Sequence, residues 1–157
     1  MGLLEWLETS GVAVFIRESQ SVFVYPSVLT LHTIGLGILV GANTAIDLRL
    51  LGFAPRVPVA PLVKFFPIMW IGFWINAASG AALFAAQATT KGVQPIFYVK
   101  LTCVALGVFN LMLLRRFVFS NPSTTALHVP LSGRILAVTS LLVWAAAIAA
   151  GRLMAYL

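Results

Sequence analysis

The stretch VFVYPSVLTLHTIGLGILVGANTAI, residues 22–46, contains no aspartate, glutamate, lysine or arginine. Asp47-Leu48-Arg49 follows it directly, so the first charges stand at the end of the apolar run. A helix that crosses the hydrocarbon core of a bilayer needs about 20 predominantly apolar residues. We therefore predict a membrane-spanning helix over residues 22–46.

The same apolar character extends over the whole chain of 157 residues, of which 61% are hydrophobic and 9% are charged. Soluble domains average roughly 45–50% apolar and about 25% charged residues. Ten Lys and Arg with four Asp and Glu could not cover a water-facing surface. This composition excludes a soluble enzyme, a disordered tail and a nucleic-acid-binding domain, since the cations stand singly or in pairs at the ends of apolar runs.

Three further apolar runs predict spans over residues 67–87, 96–114 and 135–156. The loop before the second span carries Pro55, Pro58 and Pro61, and proline at this density ends helices. Residues 1–21 alternate leucines with acids and are too short and too charged to span, which suits a position in the interface. We predict an all-α integral membrane four-helix bundle over residues 22–157, preceded by an interfacial amphipathic segment over residues 1–21.

The distribution of basic residues predicts the orientation in the membrane, because cytoplasmic loops carry an excess of Lys and Arg. One side holds six such residues: Arg49, Arg56, Lys64, Arg115, Arg116 and Arg134. The opposite side holds four: Arg17, Lys91, Lys100 and Arg152. This bias predicts that both termini lie outside the cytoplasm.

His32 is the principal candidate for a site, because an ionisable side chain within a span is costly unless it has a partner or a function. Gly35 lies one helical turn away and predicts open space beside the imidazole, and Gly37 and Gly41 predict a close approach of another helix. One interpretation is an axial ligand of haem b, in which His32 binds the metal. A second is a neutral histidine that is hydrogen-bonded across helices, for example to Asn76. A proton relay or a quinone contact is a third.

The haem hypothesis assigns roles to further residues near the predicted depth of His32. Trp70 and Trp74 stand shortly before Asn76 in the second span and would wall a cofactor pocket, or would simply pack against lipid and core. Lys100 and Arg152 lie about one turn inside the outer edge of their spans. They would pair with the haem propionates, or would only extend their charged ends to the interface.

The order of motifs along the chain resembles a family of small bacterial integral membrane proteins with four spans, which is catalogued only as a domain of unknown function. The motifs are Tyr25-Pro26, Leu31-His32, Gly35, Gly41, Asp47 to Gly52, Pro67, Gly72-Phe73, Gly80, Pro95, Phe97, Lys100-Leu101, Asn110, Ser140 to Trp144, Gly151-Arg152 and Ala155-Tyr156. In that family pattern an acidic residue often stands three before the histidine, and a further histidine often ends the third span. Leu29 and, approximately, Leu114 or Arg115 occupy those places here. The resemblance implies a multi-pass protein of the bacterial inner membrane without established catalytic residues.

These patterns favour a small haem-binding electron-transfer or cofactor-anchoring subunit with His32 as axial ligand. The alternative is a non-catalytic structural or assembly subunit of a membrane complex, and a weaker one is a transporter for a small solute or a metal. Besides the lipid bilayer, we expect a homo-oligomer or a larger membrane complex, because His32, Asn76 and the glycine faces need a partner surface and bis-histidine ligation needs a second chain. The other histidine, His128, stands in the predicted loop before the fourth span, where we interpret it as solvated. No H-E-x-x-H motif, paired carboxylates or Ser/His/Asp set is present.

Overall fold

The computed structural model describes residues 2–19, 21–120 and 129–156, and all regular elements within these residues are helices. The predicted all-α class is confirmed. The helices are α1 (Leu3–Glu8), α2 (Gly11–Glu18), α3 (Val24–Leu50), α4 (Phe65–Ala86), α5 (Ala88–Lys91), α6 (Pro95–Leu114) and α7 (Leu131–Leu153). A 3₁₀ turn over Ala60–Lys64 leads into α4, and a π-helical turn over Arg115–Phe119 continues α6.

Four of these helices, α3, α4, α6 and α7, are long and apolar enough to cross a membrane. The protein is therefore a multi-pass membrane protein. The first span continues to Leu50, beyond the predicted end at residue 46, and Asp47 and Arg49 lie buried within its last turn. The Arg49 guanidinium donates to the carbonyl oxygens of Pro55 and Val57, which fixes the following loop on the helix end.

The segment before the first span forms two short helices. Ser10 separates them and caps α2, its hydroxyl accepting from the backbone N–H of Ala13 at 3.4 Å. Helix α2 packs on α4 and buries Ala13 and Ile16, while α1 lies against α5. The carboxylate of Glu8 holds this arrangement by accepting from Thr89 at the start of α5.

The four spans form two closely packed pairs, α3 with α4 and α6 with α7, and α3 also contacts α7. Glycines set both crossings. A Cβ atom on Gly35 would lie 2.6 Å from the backbone nitrogen of Asn76 and 2.8 Å from the carbonyl oxygen of Gly72. A Cβ atom on Gly107 would lie 2.8 Å from the indole ring of Trp144. Gly37 and Gly41, for which the sequence predicts a close approach of another helix, have nothing within 4 Å of a Cβ atom, so no helix of the described part of the chain makes that approach.

A buried polar cluster connects the two pairs. The side-chain amide of Asn43 in α3 donates to Asp47 Oδ2 at 2.7 Å and to Ser140 Oγ in α7 at 2.6 Å. All three side chains are at most 1% exposed. Since the lipid around a span offers no hydrogen bonds, these bonds specify the contact between α3 and α7.

Candidate functional site

A cavity of about 540 Å³ lies between the four spans, at the end of the bundle where α3 begins. We call it the polar cavity. Its polar lining comes from every span and from the turn between α4 and α6: Tyr25, His32, Thr33, Asn76, Gln87, Lys91, Lys100 and Arg152. Its volume lies within the range of about 300–1,000 Å³ that is typical of small-molecule and cofactor sites.

The imidazole of His32 has a defined orientation at the wall of the polar cavity. Its Nδ1 lies 2.9 Å from the backbone carbonyl oxygen of Asn76 and 3.3 Å from Ser79 Oγ. A carbonyl oxygen only accepts, so Nδ1 carries the hydrogen and Nε2 keeps its lone pair. Lys100 Nζ and Asn76 Nδ2 each lie 3.5 Å from Nε2.

Helix α4 supplies the surface that holds this imidazole. The side-chain amide of Asn76 donates to the backbone carbonyl oxygen of His32 at 2.8 Å, so each residue bonds to the main chain of the other. A Cβ atom on Gly80 would lie 2.9 Å from His32 Cε1 and 3.2 Å from Nδ1. Any larger residue at position 80 would therefore displace the ring, and glycine is what makes room for it.

The electrostatic character of the polar cavity is cationic. Lys100 extends from α6 and lies against Gly151 of α7, 3.5 Å from a Cβ atom placed there, and Arg152 follows on α7. Lys91 donates to the carbonyl oxygen of Met154 at 2.7 Å. None of the four acidic residues of the chain, which are Glu5, Glu8, Glu18 and Asp47, is among the lining residues. The cavity therefore favours a ligand that carries negative charge.

The structure brings together four of the residues that the sequence analysis assigned to the site: His32, Asn76, Lys100 and Arg152. Gly35 lies at the crossing of α3 and α4, packed against backbone, and so offers no open space beside the imidazole. Trp70 lines a separate cavity, and Trp74 is 66% exposed on the outside of α4. His128 lies outside the described residues.

Part of the lining comes from residues that the sequence did not predict for the site. Gln87 and Lys91 stand in the short polar turn between the second and third spans, and Phe84 and Phe97 stack with centroids 4.6 Å apart beside them. The place of Gln87 and Lys91 in the sequence could have indicated this, because the turn lies at the same end of the bundle as the charges of Lys100 and Arg152.

Among the described residues, no three His, Cys, Asp or Glu side chains come together as a metal-binding group. The imidazole of His32 is the nitrogen ligand that the polar cavity offers to a metal, and Tyr25 and Met154 also line the cavity. Haem iron needs only one such protein ligand, because the porphyrin supplies four nitrogens of its own. The His32 imidazole therefore fits haem. A bare metal ion would meet one imidazole nitrogen and the positive charges of Lys91, Lys100 and Arg152.

A family model described as "Family of unknown function (DUF6644)" matches residues 3–157. No curated protein and no solved structure matches the chain.

Proposed function

Because the chain belongs to the family of unknown function DUF6644, which assigns no activity, we propose from the polar cavity that it is a haem-binding membrane protein. The observation that carries this proposal is the orientation of His32. Its Nδ1–H donates to the backbone carbonyl of Asn76 and leaves the Nε2 lone pair as an acceptor, 3.5 Å from Lys100 Nζ and from Asn76 Nδ2. Metal-ligating histidines are almost always held in this way, with the second ring nitrogen bonded to a carbonyl or a carboxylate.

The other lining residues support the same ligand class. Lys100 and Arg152 would compensate the two propionates, and the four-carbon stem of Lys100 lets its ammonium leave Nε2 for a carboxylate. Phe84 and Phe97 give the cavity an apolar wall. Haem would supply one-electron chemistry at its iron, and the chain would act as an electron-transfer or cofactor-anchoring subunit.

The test is an optical spectrum of the detergent-purified protein, expressed with added haem precursor and recorded oxidised and then reduced with dithionite. We expect a Soret band with sharp α and β bands after reduction. His32→Ala should abolish them, whereas His128→Ala, which removes the other histidine of the chain, should retain them. A featureless spectrum from the wild type, or full haem in His32→Ala, would end the assignment.

A second candidate function is favoured by the contacts that already surround the imidazole. Asn76 and Lys100 approach both ring nitrogens from within the chain, so His32 could serve only to specify the packing of α3 on α4. The protein would then be a structural or assembly subunit of a membrane complex. In that case His32→Gln, which keeps a donor and an acceptor, should preserve the melting temperature and the partners recovered by mild detergent extraction.

The haem proposal also bears on assembly. A second axial histidine would have to come from another copy of the chain, whereas the polar cavity lies between the four spans of one chain. We infer a homo-oligomer in which each copy holds its own haem. Haem content, measured by pyridine haemochrome on protein of known concentration, should then be about one per chain. About one haem for every two chains would mean that two copies share it and that the haem does not lie within the polar cavity.

For the location we infer the bacterial inner membrane with both termini outside the cytoplasm, supported by six basic residues on one side against four on the other. In a Cys103→Ser background, Ser19→Cys should react with a membrane-impermeant maleimide in spheroplasts and Arg56→Cys should not. The opposite labelling pattern would reverse the orientation.

A further inference from the structure

A second cavity, of about 260 Å³, lies at the opposite end of the bundle between α4 and α6. We call it the arginine cavity, because Arg115 and Arg116 form its rim while Phe66, Trp70 and Met112 contribute to its walls. Nothing in the function proposed above uses it. It opens between the two helix pairs, where α4 and α6 are not closely packed along their length.

The rim has a defined geometry. The guanidinium carbon of Arg115 lies 5.8 Å from the centroid of the Phe66 ring, so a cation–π contact holds the charge at the mouth of the cavity. The π-helical turn begins at this residue, and the hydroxyl of Ser120 donates to the carbonyl oxygen of Arg115 at 3.2 Å. Arg116 follows directly and is exposed.

The walls become apolar with depth. Met112 lies about one helical turn closer to the bilayer centre than Arg115, and Trp70 lies about one turn deeper than Phe66. Met112 is 49% exposed, and Trp70 is half-buried. The cavity thus places two cations above an apolar groove, which matches an amphiphile with an anionic head and a hydrocarbon tail.

The charges at this end of the bundle also favour an anionic ligand. Six of the basic residues stand there, and the only acidic residue at that end is Asp47, which is fully buried and bonded to Asn43. Within the described part of the chain, neither Arg115 nor Arg116 forms an ion pair. The chain itself therefore leaves the charge of this rim uncompensated.

We propose that the arginine cavity binds an anionic phospholipid of the surrounding bilayer, with the phosphate between Arg115 and Arg116 and an acyl chain against Trp70 and Met112. Basic pockets between spans are known to bind anionic lipid head groups. The arginine cavity, with about 260 Å³, holds the part of the lipid near its head group. The rest of the lipid stays in the bilayer. A free phosphate would use the rim alone, whereas a lipid also uses the apolar walls.

The experiment reconstitutes the full chain into vesicles of equal parts phosphatidylglycerol and phosphatidylcholine, extracts it in mild detergent and counts retained lipids by native mass spectrometry. Wild type should retain phosphatidylglycerol in preference to phosphatidylcholine. Arg115→Gln with Arg116→Gln should lower that retention on the order of 10-fold. Arg134→Gln is the matched control, because Arg134 is an exposed arginine at the same end that does not line the cavity.

A second measurement separates the two sources of phosphate. Added phosphatidylglycerol should raise the melting temperature of the wild type and of Arg134→Gln, and inorganic phosphate at equal concentration should not. An equal shift with inorganic phosphate would overturn the lipid assignment in favour of an anion site. Equal loss of retention in Arg134→Gln, or no lipid preference in the wild type, would overturn the site itself.

Discussion

The contact between Gly80 and His32 predicts that one added methyl group at position 80 destabilises the protein. Gly80→Ala would place a Cβ atom 2.9 Å from His32 Cε1, and the bonds to Asn76 prevent the ring from moving freely. Overpacking of this kind costs about 1–3 kcal/mol. We expect a lower melting temperature in detergent for Gly80→Ala and loss of any ligand that depends on His32.

The matched control for this variant is Gly37→Ala in α3, where a Cβ atom meets nothing within 4 Å. It should melt at or above the wild-type temperature, because alanine favours the helix over glycine. Equal melting temperatures for Gly80→Ala and the wild type would mean that the imidazole does not occupy the place described here.

The Asn43–Ser140 hydrogen bond makes a second prediction at the residue scale. Asn43→Ala removes the donor to both Asp47 and Ser140, and Ser140→Ala removes one of its acceptors. Interhelical hydrogen bonds in membranes are worth about 0.6 kcal/mol on average and up to about 1.7. A double-mutant cycle measured by SDS unfolding should give a coupling free energy in the upper part of this range, since both side chains are fully buried. Additive effects of the two variants would contradict a direct bond.

From the sequence, Asn76 could be named as an example of a partner for His32 in one of three interpretations, whereas the approach of Lys100 could not be predicted. The position of each residue along its span gives its depth, and His32 and Asn76 both lie within the apolar runs. Depth does not give the rotation of one helix about its axis relative to another. The placement of Lys100 Nζ 3.5 Å from Nε2 depends on that rotation and on the small Gly151 beside the lysine stem.

At the scale of elements, the Glu8–Thr89 bonds predict that the N-terminal helices detach at low pH. Hydrogen bonds from the hydroxyl and the backbone N–H of Thr89, with the charge of Arg17, lower the pKa of Glu8 below its ordinary value of 4.5. The docked state is therefore stabilised at pH values above 4.5. That stabilisation is lost as the pH falls below 4.5 through the lowered pKa.

A fluorophore on Leu3→Cys, in the Cys103→Ser background, should report release of α1 with a midpoint below pH 4.5. Thr89→Val removes the hydroxyl donor and should move that midpoint upward. Glu5→Gln is the control, since among the described residues the Glu5 carboxylate bonds locally, to the N–H of Gly2. A midpoint that is the same in Thr89→Val would show that Thr89 does not set the docking.

The spans themselves could be predicted from composition, because a bilayer imposes one length on every crossing helix. The predicted ends of the spans are less accurate where local hydrogen bonds extend a helix beyond its apolar run. The sequence predicts Asp47 as the first charge beyond the first span, whereas in the structure Asp47 bonds to Asn43 one turn earlier and the helix continues to Leu50. The glycines at the crossing of α3 and α4 could not be identified from the pattern either. Gly37 and Gly41 fit the small-xxx-small pattern, but Gly35 and Gly72 face each other at that crossing.

For the whole molecule, the amide and imidazole donors within the spans find acceptors in the same chain. His32 bonds to Asn76, Asn43 bonds to Ser140, and Asn110 donates to the carbonyl oxygen of Leu136 at 3.2 Å. The amide oxygens of Asn43 and Asn110 are buried without a hydrogen-bond partner among the described residues, so these side chains are only partly satisfied. The polar cavity depends on both helix pairs, since His32 and Asn76 belong to one pair and Lys100 and Arg152 to the other.

This arrangement predicts that the two helix pairs unfold together. Helix α3 contacts both α4 and α7, so loosening one pair should weaken the other through α3. Gly107→Ala would place a Cβ atom 2.8 Å from the ring of Trp144, at the crossing of α6 and α7. We expect it to lower the free energy of unfolding by about 1–3 kcal/mol.

Cooperativity is tested by placing one probe in each pair. Two single-tryptophan proteins, one keeping Trp144 in α7 and one keeping Trp74 in α4, would be unfolded in SDS with and without Gly107→Ala. Coincident transitions for both probes indicate a two-state bundle, and the substitution should then shift both by the same amount. Gly41→Ala, with nothing within 4 Å of its Cβ atom, should lower the stability seen by neither probe. A shift seen by Trp144 alone would mean that the pairs are independent units, and the polar cavity could then open between them without unfolding either one.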